Sequence, residues 1–506
     1  MSSKHPDDRI FEFPYHNTGF DAEVSHAERV RKEGGCCSCG CCLGCLVFLI
    51  LIILGLVAFY YSIVSGGVPL VVSEETTIIT EPMKSDGETV DFHQAIQEMV
   101  QPNVQPDENG FMVVWRGYGR EILDSIDREG IRRQYLVMCE QFGIDPQAPP
   151  TWSLPRWTPA DPERWLTEVG KGLDAVQSAT AGTHYFVPLV RDSEKDLVVM
   201  SLPFAMYAFH EKLSDALHQR AKIRLESDDT AGAWKDILAS LRLFRHVTVN
   251  QAWLTELNGG DSESLLTPVS EIVGTLPQWT TEQLEQAIKD LESLPNWQDR
   301  QTMLRMLQFM MLDTLSVTND FPGLGSRLGV EFPGEDLWTL QALQRIGFDW
   351  NLVAKEINHE MKSYGELLEK VADDRLEEQF AALQLRPMQK SFRMPDQAEW
   401  QEFAVNHSRR IEDNPFLAPG RSRLIGAMMG YLGTRVAGEM YRLQLIEDSR
   451  IQALRLALAL EQFCRENSHY PDSLVELDLQ PKMQLQYERQ GNGYRIWNLV
   501  FQLSTD

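Results

Sequence analysis

The chain is poor in positive charge. Its 506 residues carry 47 Lys and Arg against 73 Asp and Glu, a formal charge of −26. That excludes general nucleic-acid binding, which needs a basic footprint to displace counterions from phosphates. Gly (34) and Pro (25) stay near average usage, so collagen and low-complexity linkers are excluded. With 43% hydrophobic and 24% charged residues the chain is not a wholly disordered one. Cysteine is scarce beyond Cys45, where only Cys139 and Cys464 remain. Two thiols make no disulfide framework. They either pair in an oxidising compartment or stay as single buried thiols.

Motifs that carry chemistry are lacking too. Neither G-x-x-x-x-G-K-[ST] nor G-x-S-x-G occurs. Gly117-Tyr118-Gly119 opens like a dinucleotide fingerprint, but Ile122 stands at the third glycine position, and Gly323-Leu324-Gly325 with Gly329 misses by one residue. His210-Glu211 is followed by His218 rather than by a His at the fifth position, and His359-Glu360 lacks a second His as well. Asp107, Asn109 and Gly110 echo a calcium loop without the rest of its ligands and read better as a helix start. Trp152 and Trp157 could stack on a sugar, although loop tryptophans more often anchor the loop. Catalytic residues are therefore unknown from sequence, and no cofactor is expected.

What is present begins with Leu43 to Val64, LGCLVFLILIILGLVAFYYSIV, without a charge. A helix of that length spans roughly 33 Å, enough to cross a bilayer's hydrocarbon core. Tyr60 and Tyr61 suit the interface. Arg29, Arg31 and Lys32 precede the run, whereas no Lys or Arg follows it until Lys84. The positive-inside rule puts Met1 to Cys42 in the cytoplasm and the rest outside it. The apolar core is too long, and too far from Met1, for a cleaved signal peptide, which predicts an uncleaved signal-anchor.

Six cysteines fall between Cys36 and Cys45, at the start of this run, and Cys36, Cys39, Cys42 and Cys45 repeat every third residue. These four are the metal or acylation candidates. Structural zinc usually joins two Cys pairs across a loop of about 12–20 residues, which is missing here, so the expectation is a small-residue membrane boundary without metal.

Beyond the span the pattern is helical. Val68 to Thr80 is β-branched and reads as a short strand or stalk. Helical runs follow over 90–100, 105–123 and 128–142, then Asp145 to Pro162 carries six prolines and reads as a loop. In Asp229 to Val247, residues Trp234, Ile237, Leu238, Leu241 and Phe244 share one face. Thr280 to Gln283 forms a capping box ahead of the stripe Leu284, Ile288, Leu291 and Leu294. Helices are predicted at 298–317, 336–372 and 396–412, with a Gly/Pro-rich loop at Thr318 to Glu335. Ser422 to Cys464 is the longest, and its Gly426-x-x-x-Gly430 pair predicts close helix packing. Runs on either side of Gly491-Asn492-Gly493 predict a terminal hairpin.

The stretch Leu456 to Leu477 holds Glu461-Gln462-Phe463, Asn467, Tyr470-Pro471 and Ser473-Leu474. It resembles the helix plus Y-P-x-S-L-x-x-L module of planctomycete-type single-span envelope proteins, and distantly that of pseudopilins. The resemblance implies an anchored, helical, extracytoplasmic protein of uncharacterised role and supplies no catalytic residues. Read on its own residues, the module is a corner: Pro471 ends the helix, Tyr470 folds back, and Leu474 and Leu477 dock a short helix. The predicted fold is mainly α, a single transmembrane helix plus a multi-helix extracytoplasmic domain ending in a short β-hairpin. Its parts are a tail (1–42), the span (43–64), a stalk (65–89), a helical domain (90–420) and a long helix with corner and hairpin (421–506). The expected role is an interaction or structural component of the bacterial envelope with a protein partner. The alternatives are a wall-directed hydrolase using paired carboxylates and an accessory part of a type II-like secretion apparatus.

Overall fold

The computed structural model describes residues 67–504 apart from 101–103, 125–128, 154–161, 183, 192–203, 258–271, 298, 317–346, 371–417, 478–484, 492 and 499–501. The expected span 43–64 and the cysteine run lie outside the described residues, as do the helix at 396–412, the loop at Thr318 to Glu335 and Trp157. Among the described residues no helix is long and apolar enough to cross a membrane.

The described chain is mainly helical. Its helices are α1 (Phe92–Val100), α2 (Gly110–Asp124), α3 (Glu129–Gln141), α4 (Pro162–Ala181), α5 (Phe204–Glu226), α6 (Thr230–Leu257), α7 (Thr281–Glu292), α8 (Arg300–Ser316), α9 (Trp350–Lys370) and α10 (Ala418–Asn467). Local signals set several of their ends. Pro162, whose missing N–H costs nothing in a first turn, opens α4. Thr280 caps α7 by accepting from the Gln283 N–H, while the Gln283 side chain accepts from the Thr280 N–H. Asp349 accepts the Asn351 and Leu352 amides at the start of α9.

The apolar faces fill three cores. In the first, Phe111, Trp115 and Tyr118 of α2 meet Leu173 and Val176 of α4 and Phe209 and Leu213 of α5. In the second, Trp234, Ile237 and Leu241 of the α6 stripe meet Leu284 and Leu291 of α7 and Leu454 and Leu458 of α10. The third joins Phe92 and Ile96 of α1 to Met303 and Leu307 of α8, Val353 and Ile357 of α9, and Val436 and Met440 of α10. Helix α10 thus enters two cores, and every described side chain from Val436 to Glu447 is buried. Residues 67–89, read from sequence as a stalk, lie against α9: Asn351 Oδ1 accepts the Val71 N–H, and Asn358 donates to the Glu75 and Thr76 carbonyls.

Helix α9 approaches α10 closely because of the glycines. A Cβ on Gly426 would stand 2.5 Å from the Val353 carbonyl oxygen, and one on Gly430 2.7 Å from Glu360 Cβ. Backbone cannot yield as a side-chain tip can. Gly426→Ala is therefore expected to destabilise by about 1–3 kcal/mol despite the better helix propensity of Ala. Gly170→Ala on α4, with nothing within 4 Å of the new Cβ, is expected to stabilise by roughly 0.5–1 kcal/mol. Denaturant unfolding of both variants checks the contrast, and equal shifts would remove the close-packing account.

The C-terminal corner forms, with two differences from expectation. Helix α10 ends at Asn467, four residues before Pro471, because Ser468 turns left-handed (φ 61°) and its N–H bonds back to the Cys464 carbonyl. Tyr470 does fold back, its hydroxyl donating to Glu461 Oε1 at 2.8 Å. A short 3-10 turn at Leu474–Leu477 follows, with both leucines packed on the second core. The expected hairpin, β1 (Gln486–Gln490) with β2 (Gly493–Trp497), turns through Gly491 at φ 57° and gains a third antiparallel strand, β3 (Gln502–Ser504). Tyr494 and Ile496 alternate inward along β2.

Candidate functional site

Helices pack through apolar stripes, so a charged residue in a stripe position marks either a built ion pair or a site. Leu213, Leu217 and Arg220 occupy one face of α5, where Arg220 is 1% exposed. Across from it Asp236 of α6, fully buried, accepts from Arg220 Nε at 2.9 and 3.0 Å and from Arg224 Nη1 at 2.8 Å. Gln177 of α4 donates to the same carboxylate, and Arg220 Nη1 reaches the Gly170 carbonyl and Asp174. Burial pushes the Asp236 carboxyl upward while the two guanidiniums pull it back. The network clamps three helices.

Other buried carboxyls are similarly engaged. Asp91 receives both Nη atoms of Arg191, at 2.7 and 2.6 Å, which ties the start of α1 to the extended segment 184–191. Asp313 of α8 lies 3.5 Å from Lys84 Nζ. Glu461 accepts from Tyr470, and burial raises its carboxyl.

Between α5 and α6 lies a serine–histidine constellation that sequence reading did not single out. Ser240 Oγ is 2.7 Å from His218 Nε2 and 2.8 Å from Ser214 Oγ. Burial holds the His218 imidazole down at about 4, so it is neutral but a weak base. The distances suit a nucleophile and its base. Burial does not, since Ser214 and Ser240 are 2% and 1% exposed. A substrate carbonyl would have to enter a helix–helix seam. Nearby, the Tyr185 hydroxyl meets His210 Nε2 at 2.9 Å, and its ring stacks on His246.

Helix α10 carries the remaining group. Glu447 is fully buried, and neither carboxyl oxygen has a hydrogen-bond partner. Burial pushes it up to about 7, against the pull of Arg450 and Arg245. The next residue, Asp448, is engaged: Arg245 Nη2 of α6 donates to its Oδ1 at 2.9 Å and Trp297 Nε1 at 2.8 Å. The Arg245 guanidinium also lies over the Trp297 ring, 4.9 Å from its centroid, and donates to the Pro295 carbonyl. Of these two neighbouring carboxyls, one is bonded to a guanidinium and an indole and the other has no hydrogen-bond partner.

Protein-family models, curated proteins and solved structures give no match to this chain.

The residues singled out from sequence go elsewhere. Cys36, Cys39, Cys42 and Cys45 lie outside the described residues. Cys139 and Cys464 are both free, one in the first core and the other packed on the second, and burial raises both thiols. Trp152 packs edge-on to Tyr118, 5.4 Å between centroids, over the space that Gly117 leaves open. That is loop anchoring rather than a sugar platform. Asn109 starts α2, accepting the Phe111 and Phe186 amides, while Asp107 pairs with Arg116. Among the described residues no three His, Cys, Asp or Glu side chains group as a metal site requires.

Proposed function

We propose that this chain is a single-pass membrane protein of a bacterial envelope. Residues 43–64 cross the bilayer, Met1 to Cys42 face the cytoplasm, and the helices act outside as an interaction or structural component with a protein partner. The anchor reading is supported by the uncharged run and by the asymmetry of Arg29, Arg31 and Lys32 against the distant Lys84. The module around Tyr470-Pro471, which resembles that of planctomycete-type envelope proteins, points the same way. The observation that carries the interaction role is the use of polar groups in the helices. Arg220, Asp236, Asp91 and Glu461 hold helix and loop segments to one another, and the Ser240–His218 pair is enclosed in a seam.

Protease added outside an opened outer envelope is expected to degrade the chain beyond about Gly66 and leave an anchored N-terminal fragment. Protection of the large domain with loss of Met1 to Cys42 would reverse the orientation. Release of the large domain without protease would replace the anchor with a cleaved signal. Capture of the intact protein from detergent extracts is expected to recover a reproducible envelope protein.

A second reading, a wall-directed hydrolase using paired carboxylates, has one observation in its favour, the raised Glu447 beside the engaged Asp448, and requires the seam that encloses Glu447 to open to substrate. Turnover of peptidoglycan by the purified protein, lost in Glu447→Gln with the fold retained, would replace the first reading with this one.

A further inference from the structure

The geometry points to Glu447 as a proton-binding site that controls the seam between α6 and α10: with the proton on, Arg245 stays on Asp448, and with the proton off, the two carboxylates compete for it. Three observations carry this. Glu447 has no exposure to solvent and no hydrogen-bond donor to either oxygen, so its charged form has neither water nor a hydrogen bond to stabilise it. It occupies an apolar stripe position, four residues from each of the buried Leu443 and Ile451. Its neighbour Asp448 holds the link between the two helices, through Arg245 and Trp297.

The charged groups acting on Glu447 are Arg245 from α6, and Arg450 and Asp448 from its own helix. Several charged groups of the other elements packed on α10 have partners of their own. From α7, Glu292 pairs with Arg455 and Asp290 accepts from Trp234. Arg300 of α8 lies over the Tyr441 ring, Glu356 of α9 faces Arg423, Glu360 of α9 lies against Gly430, and Arg495 of β2 covers Trp497. Of the two cations that act on Glu447, Arg245 is the one that another helix supplies.

Deprotonation places a second negative charge at a position closed to solvent, beside the partly exposed Asp448. The Arg245 guanidinium must then divide between Glu447 and Asp448, or the seam must admit water. Either outcome weakens the bonds from Arg245 to Asp448 and to the Pro295 carbonyl. The proton equilibrates with bulk solvent, so no co-reactant is involved. Because burial moves this carboxyl to about 7, the change falls in the neutral range. The inference stands independently of the envelope role.

The test uses the full-length protein in detergent at about pH 6 and pH 8. Infrared difference spectra are expected to show a protonated-carboxyl C=O band at the lower pH that disappears at the higher pH and is missing from Glu447→Gln at both. Hydrogen exchange in peptides covering 240–248 and 440–450, corrected for intrinsic rate, is expected to rise about tenfold across that interval in the parent protein. It is expected to stay flat in Glu447→Gln. A parent protein with no titrating band, a band that survives in the variant, or a variant whose exchange rises as the parent's does would each overturn the proposal. If the variant fails to fold, a parent protein without a titrating band still overturns the proposal, and Glu447→Asp serves as the second variant that assigns a band to this position.

Discussion

Asp236→Ala is expected to destabilise the helical region by about 3–5 kcal/mol, the largest effect of any single change considered. The loss exceeds that of a surface ion pair because of what stays behind. Arg220 is 1% exposed, and without Asp236 its remaining side-chain partner is Asp174, which is 63% exposed. A guanidinium cannot shed its charge as a buried Lys or His does, so the whole desolvation cost remains. Asp174→Ala, by contrast, removes a solvated partner and is expected to cost less than about 1 kcal/mol. Replacing both buried members, Arg220→Met with Asp236→Leu, is expected to recover most of the loss, since two apolar groups leave no unpaired charge. Denaturant unfolding of the four proteins checks the series. Equal costs for Asp236→Ala and Asp174→Ala would mean that the network does not clamp the helices.

Acidification is expected to produce the second large effect. Burial holds His93, His218 and His246 at about 4, well below the ordinary 6.5. Between those values the unfolded chain binds protons that the folded chain refuses. Stability is therefore fully present above 6.5 and falls as pH drops toward 4, by about 4 kcal/mol per pH unit for three such groups together. Glu447 works in the opposite sense. Its raised value makes the folded chain the better proton binder between 4.5 and 7, which offsets about one of the three histidines. The stability maximum is accordingly expected near pH 7, with a steep acid limb. Melting temperatures measured from pH 7 to pH 5 check this. A variant carrying His93→Gln, His218→Gln and His246→Gln should lose the acid limb whatever its stability at pH 7. A limb of unchanged slope would assign it to other groups.

Features with a local cause were legible in the sequence. Trp234, Ile237, Leu238, Leu241 and Phe244 of α6 are all buried, as one stripe on one helix face requires. The capping box at Thr280, the close approach at Gly426 and Gly430, and the return of Tyr470 onto its helix also depend on residues near one another in the chain. What escaped reading depends on how helices register against each other. Nothing in the spacing of Arg220 and Asp236 says that two helices bring them into one bidentate pair. Helix α10 was legible as the longest helix, read over Ser422 to Cys464 and found over Ala418–Asn467, but which of its faces packs was not. From Val436 to Glu447 it is enclosed on every described side, so it has no solvent face for a periodic pattern to report. The usable signal was a charge among apolar residues, Glu447 between Leu443 and Ile451. The third strand, only three residues long, is too short to alternate visibly.

Helix α10 also imposes an order on assembly. A ribosome delivers the chain from its N-terminus, so α1, α6, α7, α8 and α9 all emerge before the helix that completes their cores. The first core, built from α2 to α6, can close early. Val353, Ile357, Leu284 and Leu291 must wait with apolar surface uncovered until residues 424–464 arrive. A nascent chain stopped anywhere between α9 and α10 is thus a sticky intermediate, and one that a holding chaperone would recognise.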